Sequence, residues 1–232
     1  MKKIVFAVIP ILIVLVLSLP IIRPLFAVGF FPMHDNTQVA RVFEMGKALQ
    51  DGMFPVRWVN DLGYGYGYPI FTFYAPLAYY IGGFISAAGT DPLLATKIMM
   101  GIGMLLSGVF MYLFCKEVFG KEGGILGGLF YTFATYHAVD LYVRGDVAEF
   151  FAYAFIPLAA YGILLATRKS KLATVFIGAI GVAGIIVSHN LTAFMTMPFL
   201  LVFASILAGI SWKTTHSFRR MLFAFLPIVA GV

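Results

Sequence analysis

Hydrophobic positions along this chain fall into long unbroken runs, not into the alternating or heptad patterns of a soluble protein. Ile4 to Ile22 follows Lys2-Lys3 without interruption, and at 1.5 Å per residue it reaches about 28 Å, the thickness of a bilayer's hydrocarbon core. Further runs cover Leu93 to Cys115, Gly123 to about Tyr136, Phe150 to Thr167, Leu172 to Ser188, Leu191 to Ile210 and Met221 to Val232. The pattern predicts an all-α fold: a polytopic transmembrane helical bundle of about seven spans, the last one truncated, with residues 1–232 as the N-terminal part of one membrane domain. The first run reads as an uncleaved anchor, because no A-x-A-like site closes it.

Charge decides the topology. Pro69 to Ala88 is apolar enough to be a further span, but counting it as one puts Lys116, Lys121, Arg168, Lys169, Lys171, Lys213, Arg219 and Arg220 outside, against the positive-inside rule. Keeping it on the outer face as an aromatic interfacial or re-entrant element makes all of these cytoplasmic, along with the N-terminus. A long first outer loop then runs from about residue 23 to 92, and a second from about 137 to 149. Within the first loop, Val39, Val42, Phe43, Gly46 and Leu49 share one face and Arg41, Glu44, Lys47 and Asp51 the other, which predicts an interfacial helix.

The composition, 61% hydrophobic and 11% charged, excludes a soluble globular domain. The net charge of +6 sits in the turns between runs and orients helices, so it implies membrane lipid as the partner and not nucleic acid. A single cysteine, Cys115, and 4 scattered histidines exclude a disulfide framework and a cysteine-based zinc site.

Chemistry is confined to the outer loops. His34-Asp35 opens the first, with Asp35 either the N-cap of the following helix in an Asp-x-x-Gln pattern or an acid held at headgroup level. Arg57 beside Trp58 offers paired donors to a phosphate, and Trp58, Tyr64 and Tyr66 offer rings for a sugar or for the membrane interface. Asp140, Arg144, Asp146 and Glu149, one base and three acids in ten residues, form the densest ionisable cluster. The Asp146 and Glu149 carboxylates point at a common ligand or simply favour the dipole of the helix they begin, and Arg144 either meets an anion or pairs with a neighbouring acid. His189, at a predicted outer turn, is a further phosphate donor or a solvated helix end.

Asp35 in a first outer loop, Pro69-x-x-x-x-Tyr74-x-Pro76-Leu77, Phe119-Gly120 in a turn and Arg144-Gly-Asp146-x-x-Glu149 in a second loop resemble, in that order, the GT-C glycosyltransferases. The chain looks particularly like the membrane family labelled 6-pyruvoyl-tetrahydropterin-synthase-related, relatives of the oligosaccharyltransferase catalytic subunit and of the aminoarabinose and mannosyl transferases. It carries no histidine cluster of the kind the pterin enzyme's name suggests.

The resemblance implies transfer of a sugar from a polyprenyl-phosphate donor to a glycan, lipid or protein acceptor on the extracytoplasmic face, with inversion. In that scheme Asp35 is the general base, and Arg144, Arg57 and His189 meet the donor phosphate. His34, Asp146 and Glu149 bind substrate or a divalent ion such as magnesium or manganese. The oligosaccharyltransferase pattern for metal is Asp-x-Glu, whereas here two residues separate Asp146 from Glu149, so no metal set is assigned. A transporter or flippase, or a noncatalytic lipid-binding scaffold, are the alternatives. The first expects charges at mid-membrane depth, which the runs lack.

Overall fold

The computed structural model describes the backbone of residues 2–232 and the side chains from Val8 onward; the side chains of the Lys2-Lys3 pair lie outside the described residues. Every long apolar run becomes a helix. The first, α1 (Lys2–Ile22), contains Pro10 and Pro20, which a membrane helix tolerates because neighbouring groups satisfy the freed carbonyls. After a 3-10 turn at Arg23–Phe26 come α2 (Gln38–Gln50), α3 (Ile70–Phe73) and α4 (Leu77–Ala87). Then follow α5 (Pro92–Thr132), α6 (Thr135–Val139), one π-helical turn at Asp140–Arg144, α7 (Val147–Lys169), α8 (Leu172–Ser188), α9 (Asn190–Thr215) and α10 (Phe218–Gly231).

Helix α5 is two helices folded back on each other. Gly120 has φ 80° and ψ −175°, a left-handed position natural only to glycine, and it reverses the chain between the arms. The arms pack through small residues: a side chain at Gly108 would run into Thr132, one at Gly127 into Cys115, and one at Gly128 into the Gly108 carbonyl. Close backbone approach of this kind is what holds helices together where lipid gives no hydrophobic drive. The α7–α8 pair uses the same device, with Gly162 against Gly178 and Gly181 against Ala159.

Among the described residues, four stretches are long and apolar enough to cross a bilayer: Val8–Phe26, Pro92–Arg144, Val147–Lys169 and Asn190–Thr215. The expected runs at Leu172 to Ser188 and Met221 to Val232 form the shorter α8 and α10, which pack against α7 in a second core that includes Ile163, Val182, Ile185, Leu200 and Ile228. The chain is therefore an all-helical integral membrane protein.

The segment Pro69 to Ala88 does not run through the bundle as a long helix. At 11 residues, α4 is about 16 Å long, half of what a span needs. It lies parallel to α2, with Tyr79 opposite Gln38, Gly82 against Val42, and Gly83 and Ser86 against Gly46. Together with the N-terminal ends of α5 and α7 the pair encloses a core containing Met45, Tyr79, Met99, Met100, Phe150 and Phe151.

One detail of α2 departs from its sequence pattern. Val42 and Gly46 are buried as expected, but Phe43 is exposed and Glu44, expected on the polar face, is buried. The cause is the segment that follows α2. A short hairpin, closed by antiparallel hydrogen bonds between Val59 and Tyr68, folds back over the polar face. Asp61 then pairs with Lys47 and donates its backbone N–H to Glu44 at 3.4 Å. Burial pushes the Glu44 carboxyl above its ordinary value.

The charges separate to the two ends of the bundle. Arg168 Nη1 reaches the Glu117 carboxylate at 3.1 Å, and Arg219 Nη2 donates to the Ser170 carbonyl at 2.9 Å, so the turns carrying the eight bases named above meet at one end. At the other end Asn190 Nδ2 donates to the Phe73 carbonyl at 3.4 Å, and residues 33–35 meet residues 143–145.

Candidate functional site

The two acid-bearing loops touch through their backbones. His34 N–H donates to the Val143 carbonyl at 2.9 Å and Asp35 N–H to the Arg144 carbonyl at 2.8 Å. Gln38 Nε2 adds a bond to the Gly145 carbonyl at 2.6 Å. Gly145, at φ +73°, leaves no room for a side chain against Met33 and the Asp35 carbonyl, so a glycine is required where the loops cross. Residues 107 apart in sequence are joined here.

Asp35 is not the N-cap of α2. That position belongs to Thr37, with no side-chain capping bond, and Gln38, the other half of the capping pattern, bonds Gly145 and accepts from the Tyr79 hydroxyl at 2.7 Å. The Asp35 carboxylate, with a side chain 38% exposed, meets His34 Nδ1 at 2.8 Å. It is accessible, held by its own backbone against the second loop, and free of a capping role.

Arg144 reaches the site, but three carboxylates surround it. Its guanidinium lies 2.7 Å from Glu149, 3.0 Å from Asp140 and 3.7 Å from Asp146. It also donates to the Tyr136 hydroxyl at 2.6 Å. Glu149 is further bound by the hydroxyls of Tyr136 and Tyr153. Asp146 caps α7 by accepting from Glu149 N–H at 3.1 Å, the helix-start role that its position allowed. With both carboxylates engaged in this way, and no group of three or more metal-ligating side chains among the described residues, the arrangement does not fit a bound divalent ion.

Asp140, the third acid of the sequence cluster and an expected ion-pair partner of Arg144, is fully buried. Arg144 Nη1 approaches Oδ1 off the line of a hydrogen bond, so both carboxylate oxygens lack a donor among the described residues.

A second cation, Arg41, has no site role in the sequence reading. Arg41, read from its helical spacing as part of a solvated face, stacks 4.6 Å from the Tyr74 ring and donates to the Tyr79 hydroxyl at 2.9 Å. Among the described residues it makes no ion pair. Tyr79 links Arg41 to the loop crossing, because its hydroxyl donates to Gln38, the residue that bonds the Gly145 carbonyl. Only the α2–α4 pairing reveals this position.

Arg57, Trp58, Tyr64 and Tyr66 stand elsewhere. Their hairpin contacts Glu44 and Lys47 in the C-terminal half of α2, and the Arg57 carbonyl accepts from Thr72 at 3.3 Å. Tyr64 and Tyr66 project from its tip and are almost fully exposed. His189 bonds the Thr192 hydroxyl at 2.8 Å and lies at the same end as Asp35, since its neighbour Asn190 bonds Phe73. The structure thus joins His34 and Asp35 to Asp140, Arg144, Asp146 and Glu149, adds Arg41, and leaves the aromatic hairpin to one side.

No solved structure matches the chain. An uncharacterized protein of Lactococcus lactis subsp. cremoris (strain MG1363) is 24% identical over 198 residues, covering 83% of this chain but 32% of that protein. The chain therefore spans about a third of the length of the relative it matches. Residues 71–232, including α7 with Glu149 and the Gly120 reversal, match the membrane protein family described as the 6-pyruvoyl-tetrahydropterin synthase related domain. The chain belongs to that family of membrane proteins.

Proposed function

We propose that this protein is a GT-C-type glycosyltransferase that moves a sugar from a polyprenyl-phosphate donor to an acceptor hydroxyl at the extracytoplasmic surface. The observation that carries the reading is the pair of hydrogen bonds from His34 and Asp35 to Val143 and Arg144. They fix an accessible carboxylate against the second loop at the end of the bundle opposite the basic turns. The positive-inside rule assigns those turns to the cytoplasm, and so this end to the outer leaflet.

In the reaction, the acceptor oxygen attacks the anomeric carbon and Asp35 takes its proton. The bond from that carbon to the phosphate oxygen breaks with inversion, and its electron pair leaves on the lipid phosphate. Arg41 is the cation suited to receive that charge, because it retains donors that no carboxylate occupies. Arg144 serves as a positioning residue: its three carboxylates offset its charge, and its carbonyl holds Asp35. No step is routed through a metal.

A noncatalytic lipid-binding role is favoured by one observation, the full compensation of Arg144, which would serve as a structural lock equally well. The test separating the two is sugar transfer from polyprenyl-phosphate sugars by the full natural protein in proteoliposomes. Transfer that disappears in Asp35→Asn, with lipid binding and melting temperature unchanged, supports the enzyme. Transfer at the original rate in a folded Asp35→Asn protein would sink the assignment.

A further inference from the structure

At the basic end, a cavity of about 260 Å³ opens between α7, α9 and α10. It is lined by apolar Leu207 and Ile210, by Ser211 and Thr214, and by the cationic residues Arg168 and Arg220. No carboxylate lines it. Arg168 is partly offset by Glu117 at 3.1 Å, whereas Arg220 makes no ion pair among the described residues. Lys169, Lys171, Lys213 and Arg219 stand in the same turns, against only Glu117 and Glu122 as acids.

We propose that this cavity binds an anionic phospholipid of the leaflet at the basic end, its phosphate between Arg168 and Arg220 and its acyl chain along α9. Three features select this ligand. The α9 surface leading out of the cavity is apolar and exposed, with Ile206 and Ile210 uncovered, so an acyl chain continues where a soluble phosphate would stop. Exposed Trp212 lies one turn from this rim and marks headgroup depth. The cavity has cations and no acid, which suits a net negative headgroup and leaves the ammonium of a zwitterionic lipid without a partner. The site is separate from the Asp35 cluster and does not depend on the sugar-transfer reading.

The test is native mass spectrometry, with melting curves, of the full protein in detergent supplemented with phosphatidylglycerol, phosphatidylcholine or inorganic phosphate. Phosphatidylglycerol is expected to be retained and to raise the melting temperature, and Arg220→Gln to weaken its retention about fivefold. Equal retention of phosphatidylcholine by the unaltered protein overturns the proposal, even if Arg220→Gln fails to fold. Undiminished phosphatidylglycerol binding by a folded Arg220→Gln overturns it too, as does full displacement of the lipid by equimolar inorganic phosphate.

Discussion

At one end of this bundle Asp140, Asp146 and Glu149 close around Arg144, with Glu149 held by Tyr136 and Tyr153 and Asp146 by a helix start. At the other, Arg168, Arg219 and Arg220 meet one carboxylate between them and are otherwise exposed or bonded to a backbone carbonyl. The first end concentrates charge in a buried network, where each group depends on the others and loss of one partner strands the rest. The second leaves charge in contact with solvent and headgroups, where single ion pairs contribute little.

The widest gap between the ends should come from Asp35. Asp35→Asn is expected to lower sugar transfer by roughly 10²- to 10⁴-fold, the range for loss of a general base, while melting temperature stays within error. Steady-state transfer assays beside thermal denaturation in the same detergent check both halves.

Next comes the network itself. Glu149→Ala removes an acceptor from Arg144, Tyr136 and Tyr153 together, and because Arg144 is 41% exposed the loss is expected at about 2 kcal/mol, between the values for surface and buried pairs. Denaturant titration should show it, and Glu149→Gln should recover part of it by keeping the tyrosine bonds.

Asp140 comes after it: fully buried and 3.0 Å from Arg144, it partly offsets the Arg144 charge, so Asp140→Ala should cost about 1 kcal/mol by denaturant titration, less than Glu149→Ala. A loss as large as that of Glu149→Ala would move the centre of the network to Asp140.

Arg168→Gln, at the far end, should give the smallest change, under about 1 kcal/mol, since its bridge to Glu117 is exposed. A loss rivalling that of Glu149→Ala would show the basic end to be a second structural network and erase the contrast.

Much of the helical layout was legible because a membrane helix needs length and apolarity, and both are visible residue by residue. Leu172–Ser188 is the run read from the sequence, and the turn expected at Phe119-Gly120 is where α5 reverses. The faces of α2 were legible only in part. Its helical period predicted a solvated Glu44, but the hairpin at residues 59–68 folds over it, and no local pattern announces a tertiary cover. The site divides the same way. The cluster of Asp140, Arg144, Asp146 and Glu149 stands out as local charge density, whereas the importance of Arg41 comes from what packs beside it.

By itself the sequence determined that this chain is an all-helical membrane protein and which residues carry charge at its loops, because the bilayer imposes its demands on each segment separately. Tertiary structure decided that Asp35 meets the second loop, that Arg144 is encircled and Arg41 is not, and that the aromatic hairpin lies apart. Those outcomes depend on the crossing at Gly145 and on the parallel packing of α2 with α4, contacts between segments that no single segment encodes.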